Sequence, residues 1–140
     1  MRMKPSLTAA DARLILDAAA VEAVKNHWTV TIAVVDDGGA LLALQRMDGA
    51  FPQSAEIATR KAWTAAAVRL PTKVMEDMVK DRPALISFPG QVRVQGGLPI
   101  LVGGECVGAV GVSGAASPQD EQVARAGVEA LLREVPAATE

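Results

Sequence analysis

The sequence predicts an α/β protein, with layers of helices on one antiparallel sheet of five strands, in the order αββααβββα. Two observations give this outline. Helix start signals stand at Thr8-Ala9-Ala10-Asp11 and at Ser117-Pro118-Gln119-Asp120, each with a capping residue and an acid in the first turn. Between them, apolar runs are separated by tight turns that contain glycine, which favours antiparallel pairing. A sheet covered by helices is the layered arrangement that buries such elements.

The first half of the chain predicts a helix, a hairpin of two strands and a second helix. Apolar residues recur at helical spacing after Thr8, and the β-branched run that follows is typical of a strand covered on both faces. Asp and Gly residues at 36–39 then form the hairpin turn. Ser54 is expected to cap the second helix, which Pro71 ends. The expected bounds are 9–26, 30–35, 40–46 and 54–70.

The second half predicts a short helix, three strands and a last helix. Thr72 begins the short helix, and a stretch rich in proline follows it. Residues 91–95 alternate between polar and apolar side chains and are expected to form an edge strand. Two more strands are joined at Gly103-Gly104, and Ser117 is expected to cap the last helix. The expected bounds are 72–80, 91–95, 98–102, 107–112 and 117–133, with a frayed tail at 136–140.

Composition limits the class of protein. The chain has 140 residues, enough for one core, so we treat residues 1–140 as a single domain. The net charge is −2, and no basic run interleaved with aromatic residues points to a nucleic-acid partner. No apolar run approaches the roughly 18 residues of a membrane span. With one cysteine, Cys106, and no secretory signal at residues 1–6, the sequence predicts a cytoplasmic location without a membrane partner.

The segment from Asp48 to Ala65 predicts a binding site. A tight loop leads directly into a helix start, whose free backbone N–H groups favour an anion. Only one of Arg60 and Lys61 can easily face a given pocket, because adjacent helix residues point roughly 100° apart. Gly96 and Gly97 are expected to form a second wall that offers backbone N–H groups, unless they are a bulge before a strand. The predicted ligand-binding residues are Gln53, Ser54, Arg60, Lys61, Gln91, Arg93, Gly96 and Gly97.

Glu56 is the candidate catalytic residue, as a general acid and base. Its spacing from Arg60 also fits a helix-surface ion pair worth about 0.3–0.5 kcal/mol. The only histidine, His27, is expected to cap the first helix or lie on the surface, and Cys106 to be inert. No spacing of His and Cys residues predicts a metal site.

Several ordered motifs together resemble one known family. They are Ala33-Val34-Val35-Asp36 with Gly38-Gly39, Arg46-Met47-Asp48-Gly49-Ala50, Pro52-Gln53-Ser54 with Arg60-Lys61-Ala62, Gly96-Gly97-Leu98-Pro99-Ile100, and Val107-Gly108-Ala109-Val110-Gly111 with Asp120-Glu121. The chain resembles, over about residues 6–133, the GlcG/HbpS family of haem-binding-protein-like or PduO C-terminal-like domains. The resemblance implies a profilin-like fold, a homo-oligomer and a small-molecule ligand, with haem as a candidate cofactor.

The resemblance leaves three functions open. The first is a binding protein for a small anionic or aromatic ligand, including haem. The second is a cofactor-independent lyase that resembles the type converting 4-hydroxylaminobenzoate to protocatechuate and ammonia. There, Arg60 or Lys61 would hold the substrate carboxylate and Glu56 would move protons. The third is a non-catalytic scaffold with a vestigial pocket.

Two positions depart from the haem-sensing pattern of the family. Gln91 follows Pro89-Gly90 where the pattern has Thr, and Thr59 stands where the pattern has a second Glu after Glu56. A neutral amide is a poor iron ligand, and one carboxylate binds a cation less well than two. These departures favour a ligand smaller than haem.

Overall fold

A computed structural model describes residues 1–136 and shows four α-helices and a four-stranded antiparallel sheet in this part of the chain. Its elements are α1 (Ala9–Lys25), β1 (Thr31–Asp36), β2 (Leu41–Arg46), α2 (Ser54–Val68), α3 (Thr72–Asp81), a 3-10 helix (Pro83–Ser87), β3 (Gly97–Val102), β4 (Glu105–Ser113) and α4 (Ser117–Glu134). The predicted layers of helices on an antiparallel sheet are confirmed. The tail predicted at 136–140 lies, apart from Pro136, outside the described residues.

The sheet has the order β2-β1-β4-β3, so the fifth strand predicted at 91–95 is wrong. Side chains from two helices meet the backbone of this segment instead. The Val92 N–H donates to Thr64 Oγ1 over 2.9 Å, and the Gln95 N–H donates to Glu76 Oε1 over 3.5 Å. The segment therefore lies along α2 and α3 rather than on the sheet.

The sheet separates two layers of core. Alternate residues of β1 point to opposite faces: Ile32 and Val34 pack with α1 and α4, whereas Ala33 and Val35 pack with α2. All four side chains are fully buried. The prediction that this strand is covered on both faces is therefore confirmed.

The layer between α2 and the sheet depends on small residues. Ala58, Ala62 and Ala65 are fully buried against the sheet. A Cβ atom on Gly111 of β4 would overlap the Ala58 carbonyl oxygen and lie 2.5 Å from the Ala62 nitrogen. The backbone of α2 therefore rests directly on β4, which fixes the helix that carries most of the predicted site.

The last three helices begin at the predicted residues 54, 72 and 117, but the predicted capping residue is confirmed only for α1 and is wrong for α2 and α4. Thr8 caps α1 through a capping box with Asp11, as predicted. Ser54 does not cap α2: it is the first helical residue, and its buried hydroxyl bonds Thr31 Oγ1 over 2.7 Å. In α4, Ser117 is likewise inside the helix, and the cap position falls on Ala116.

Among residues 1–136, no helix is long and apolar enough to cross a membrane.

Replacing Gly111 by Ala is expected to destabilise the protein by about 1–3 kcal/mol, because the added methyl group meets the α2 backbone, which cannot move aside like a flexible side chain. Urea unfolding followed by circular dichroism measures the change in the free energy of unfolding. Gly38→Ala is the matched control, since its new Cβ would lie 3.5 Å from the nearest atom, Asp36 Oδ1. Equal stability of the two variants would contradict the close contact between α2 and β4.

Candidate functional site

An open groove of about 550 Å³ lies along the side of α2 next to β2 and the loops that contain Gly39 and Gly90. Ala55, Thr59 and Trp63 share this side because they are four residues apart on the helix. Leu44 of β2 and two glycines of neighbouring loops form the other walls. The lining residues are Gly39, Leu44, Ala55, Glu56, Thr59, Arg60, Trp63 and Gly90.

The Trp63 indole is held between two glycine-containing loops. A Cβ atom on Gly39 would overlap Trp63 Cδ1, and one on Gly90 would lie 3.3 Å from Trp63 Cζ3. Both glycines also have positive φ angles, 88° and 79°, which other residues rarely adopt. The two loops therefore fix the half-buried indole as an aromatic surface at the groove.

Arg60 lies at the edge of the groove, where its side chain makes two hydrogen bonds. Its Nε donates to Glu56 Oε1 over 3.0 Å, and its Nη1 donates to the Gly90 carbonyl oxygen over 3.2 Å. The Arg60 and Glu56 side chains are 45% and 60% exposed, so their ion pair contributes little to stability. A ligand carboxylate is therefore able to replace Glu56 at low cost.

Lys61, the next residue, points into the interior instead. Its Nζ contacts Asp120 Oδ2 over 3.2 Å and donates to the Val112 carbonyl oxygen over 2.9 Å, with both charged side chains 3% exposed. Burial raises the pKa of the Asp120 carboxyl, while the Lys61 ammonium and the Ala115 N–H oppose that rise. Of the two adjacent cations, only Arg60 lines the groove, as the helix geometry requires.

Gly96 and Gly97 lie beside Lys61 and do not line this groove. The Gly97 N–H donates to Thr72 Oγ1 over 2.8 Å, and a Cβ atom on Gly97 would lie 2.5 Å from the Lys61 carbonyl oxygen. A Cβ atom on Gly96 would lie 2.7 Å from Lys61 Nζ. The structure therefore gives these glycines a packing role on the other side of α2.

The remaining predicted residues lie around the groove without lining it. Gln53 is exposed at the start of α2, whereas the next residue, Ser54, is buried against Thr31 of β1. Gln91 follows Gly90, and its Oε1 accepts hydrogen bonds from the Arg93 guanidinium. The ligand-binding residues predicted from the sequence do not include six of the lining residues: Gly39, Leu44, Ala55, Thr59, Trp63 and Gly90. Ala55, Thr59 and Trp63 do lie within the segment predicted to form the site. The four-residue spacing of Ala55, Thr59 and Trp63 was the available signal.

Within residues 1–136, no three His, Cys, Asp or Glu side chains converge on a place that could hold a metal ion. His27 is exposed and lies outside the groove lining.

Known proteins have related sequences. The profile of a family described as "Haem degrading protein HbpS-like" matches residues 7–129. The GlcG protein of Escherichia coli strain K12 is 47% identical over 114 residues, covering 81% of this chain and 85% of GlcG.

Two solved structures are also similar. A double mutant of HbpS from Streptomyces reticuli is 38% identical, with a TM-score of 0.87 over 92% of this chain and 89% of that one. The structure of a PduOC–haem complex is 29% identical, with a TM-score of 0.84 over 90% of this chain and 95% of that one.

Replacing Lys61 by Met is expected to lower the free energy of unfolding by about 3–5 kcal/mol, because it leaves the Asp120 carboxyl buried without its cation. The double variant Lys61→Met/Asp120→Leu should recover much of this loss, since two apolar side chains need no ion partner. Chemical denaturation of the wild-type protein, the single variant and the double variant measures their free energies of unfolding.

The matched control is Arg125→Ala, which removes the exposed pair with Glu121 and should cost less than about 0.5 kcal/mol. A Lys61→Met variant as stable as this control would show that the buried pair does not hold α2 to α4.

Proposed function

The chain belongs to the HbpS-like family, and from this we propose that it binds a flat, anionic aromatic ligand, with haem the first candidate, in the groove over α2. One observation carries the proposal: a fixed indole and two apolar side chains, Leu44 and Ala55, lie beside an exchangeable arginine. An apolar ring with a carboxylate at its edge is complementary to that arrangement.

Each part of such a ligand has a counterpart in the groove. Aromatic rings stack favourably on an indole, and Trp63 cannot turn away between Gly39 and Gly90. The guanidinium of Arg60 is able to take a carboxylate through two parallel hydrogen bonds once Glu56 gives way. Haem combines an apolar ring with two propionates, and the PduOC structure was determined in complex with haem.

The groove fits the ring and the carboxylates of haem better than it fits the iron. Its lining contains none of the His, Cys, Met and Tyr side chains that usually hold haem iron. The available oxygens belong to Glu56 and to Thr59, whose hydroxyl already donates to the Ala55 carbonyl oxygen over 2.8 Å. The Gln91 amide oxygen accepts from Arg93. We therefore propose that the ring and carboxylates supply most of the affinity.

A lyase acting on an aromatic carboxylate is the second candidate, and the shared position of Glu56 and Arg60 favours it. A substrate carboxylate that pairs with Arg60 would release the Glu56 carboxylate at the same edge of the groove. Glu56 would then be free to move protons while the N–O bond of the hydroxylamino group breaks, a hydroxyl group is added at the neighbouring ring carbon, and water displaces the nitrogen as ammonia.

The cytoplasmic location and a homo-oligomer are part of the proposal. Cys106 is buried and free, which suits a reducing compartment. Large apolar side chains such as Ile86, Phe88 and Leu101 are exposed in the single chain, which supports self-association. Sedimentation velocity would measure the size of the assembly.

Haem and iron-free protoporphyrin are expected to bind with affinities within about threefold of each other, because the groove lining lacks a strong iron ligand. Arg60→Ala should weaken both by about tenfold, the value of one charge-assisted hydrogen bond. Titrations followed by porphyrin absorbance give the affinities.

Arg125→Ala is the matched control for Arg60→Ala, since both arginines pair with a glutamate four residues earlier on a helix surface. Wild-type affinity in Arg60→Ala would exclude the groove as the site, and binding of haem alone would show that iron ligation dominates.

For the lyase candidate, purified protein should release ammonia from 4-hydroxylaminobenzoate, and Glu56→Gln should reduce this rate at least about 100-fold by removing the proton carrier. Glu121→Gln, which changes an acid outside the groove, should keep the wild-type rate. No ammonia above background from the wild-type protein would end the lyase proposal.

A further inference from the structure

Arg93 carries a positive charge that no carboxylate of the described residues neutralises. Its Nε and Nη2 both donate to one atom, Gln91 Oε1, over 2.9 and 2.6 Å. Its Nη1 is buried and has no hydrogen-bond partner among residues 1–136. A guanidinium has five N–H groups, and a buried charged donor without an acceptor is costly. A neutral amide is a weak partner for such a group.

Arg93 follows the groove-lining residue Gly90 by three positions, and its side chain folds back onto Gln91. Gln91 directly follows Gly90, which lines the groove and accepts a hydrogen bond from Arg60. On its other side, Arg93 Cζ lies 4.8 Å from the centre of the Phe88 ring. This stacking orients the planar guanidinium. We call Phe88, Gln91 and Arg93 the rim cluster.

The rim cluster differs from Arg60 in its charge balance. Arg60 already pairs with the Glu56 carboxylate, so an incoming anion only replaces one carboxylate by another there. At Arg93 an incoming carboxylate would replace a neutral amide, which is the weaker acceptor. Its two oxygens would also satisfy two N–H groups at once. An anion therefore gains more at Arg93 than at Arg60.

We propose that Arg93 binds a second carboxylate of the groove ligand, so that the site selects flat aromatic diacids over their esters. This inference rests on the proposed function and names the ligand class of the same site. Arg60 takes one carboxylate, Trp63 supports the ring, and Arg93 leaves the Gln91 amide to take the other carboxylate.

The test compares protoporphyrin IX, a diacid, with its dimethyl ester on the full chain. Wild-type protein should bind the diacid at least about tenfold more tightly. Arg93→Gln should lower the diacid affinity by about tenfold and leave the ester affinity unchanged. Arg93→Lys keeps the charge without the planar fork, so its affinity for the diacid should lie between those of the wild-type protein and Arg93→Gln.

The control variant is Arg82→Gln, which removes an exposed arginine that forms no ion pair among residues 1–136. A thermal melt of each variant shows whether it is folded. Gln91→Ala gives a second test, because freeing Arg93 from its amide should keep or increase the preference for the diacid.

The outcomes separate this inference from the proposed function. Loss of the diacid preference in Arg93→Gln, with ester binding intact, supports the inference. An unchanged preference, or an equal loss for both ligands, overturns it while groove binding stands. If wild-type protein binds neither porphyrin, the proposed function fails and the inference fails with it.

Discussion

The contact between α2 and the sheet is the constraint on which the rest of this structure depends. Gly111 lacks a side chain and the helix presents alanines, so the two backbones meet directly. A helix held this closely cannot rotate about its axis without driving larger side chains into β4. One face of α2 is thereby committed to the sheet, and an adjoining side, with Trp63 and Arg60, is left for the groove beside β2.

The same constraint gives two consecutive cations opposite roles. Lys61 continues the inward face, where its buried pair with Asp120 joins α2 to α4 across the end of β4. Breaking such a pair is costly, so it is suited to holding structure. Arg60 continues the outward face, where its pair with Glu56 is exposed and inexpensive to exchange. The difference in burial, and not in charge, separates the structural residue from the binding residue.

Local signals predicted most of the fold, and only part of the site. The capping box at Thr8 and the apolar run at 30–35 act within a few residues, so the sequence shows them directly. The alternating pattern of the segment 91–95 does not reveal its true backbone partners, Thr64 and Glu76, because they lie far away along the chain. Helix geometry likewise predicts that Arg60 and Lys61 diverge, but which of them points inward depends on the contact between α2 and the sheet and on the distant partners Val112 and Asp120.

The charges around the groove show what one departure from the haem-sensing pattern, Thr59, does to the ligand preference of the groove. Glu56 and Arg60 cancel, and Arg93 adds one uncompensated positive charge at the rim. A second carboxylate at position 59 would bring this sum to zero and remove the net attraction for an anion. With Thr59 in its place, the groove lacks a second carboxylate that could hold a cation and keeps its attraction for an anion. The features that weaken metal binding are therefore the ones that favour recognition of a flat ligand by its carboxylates.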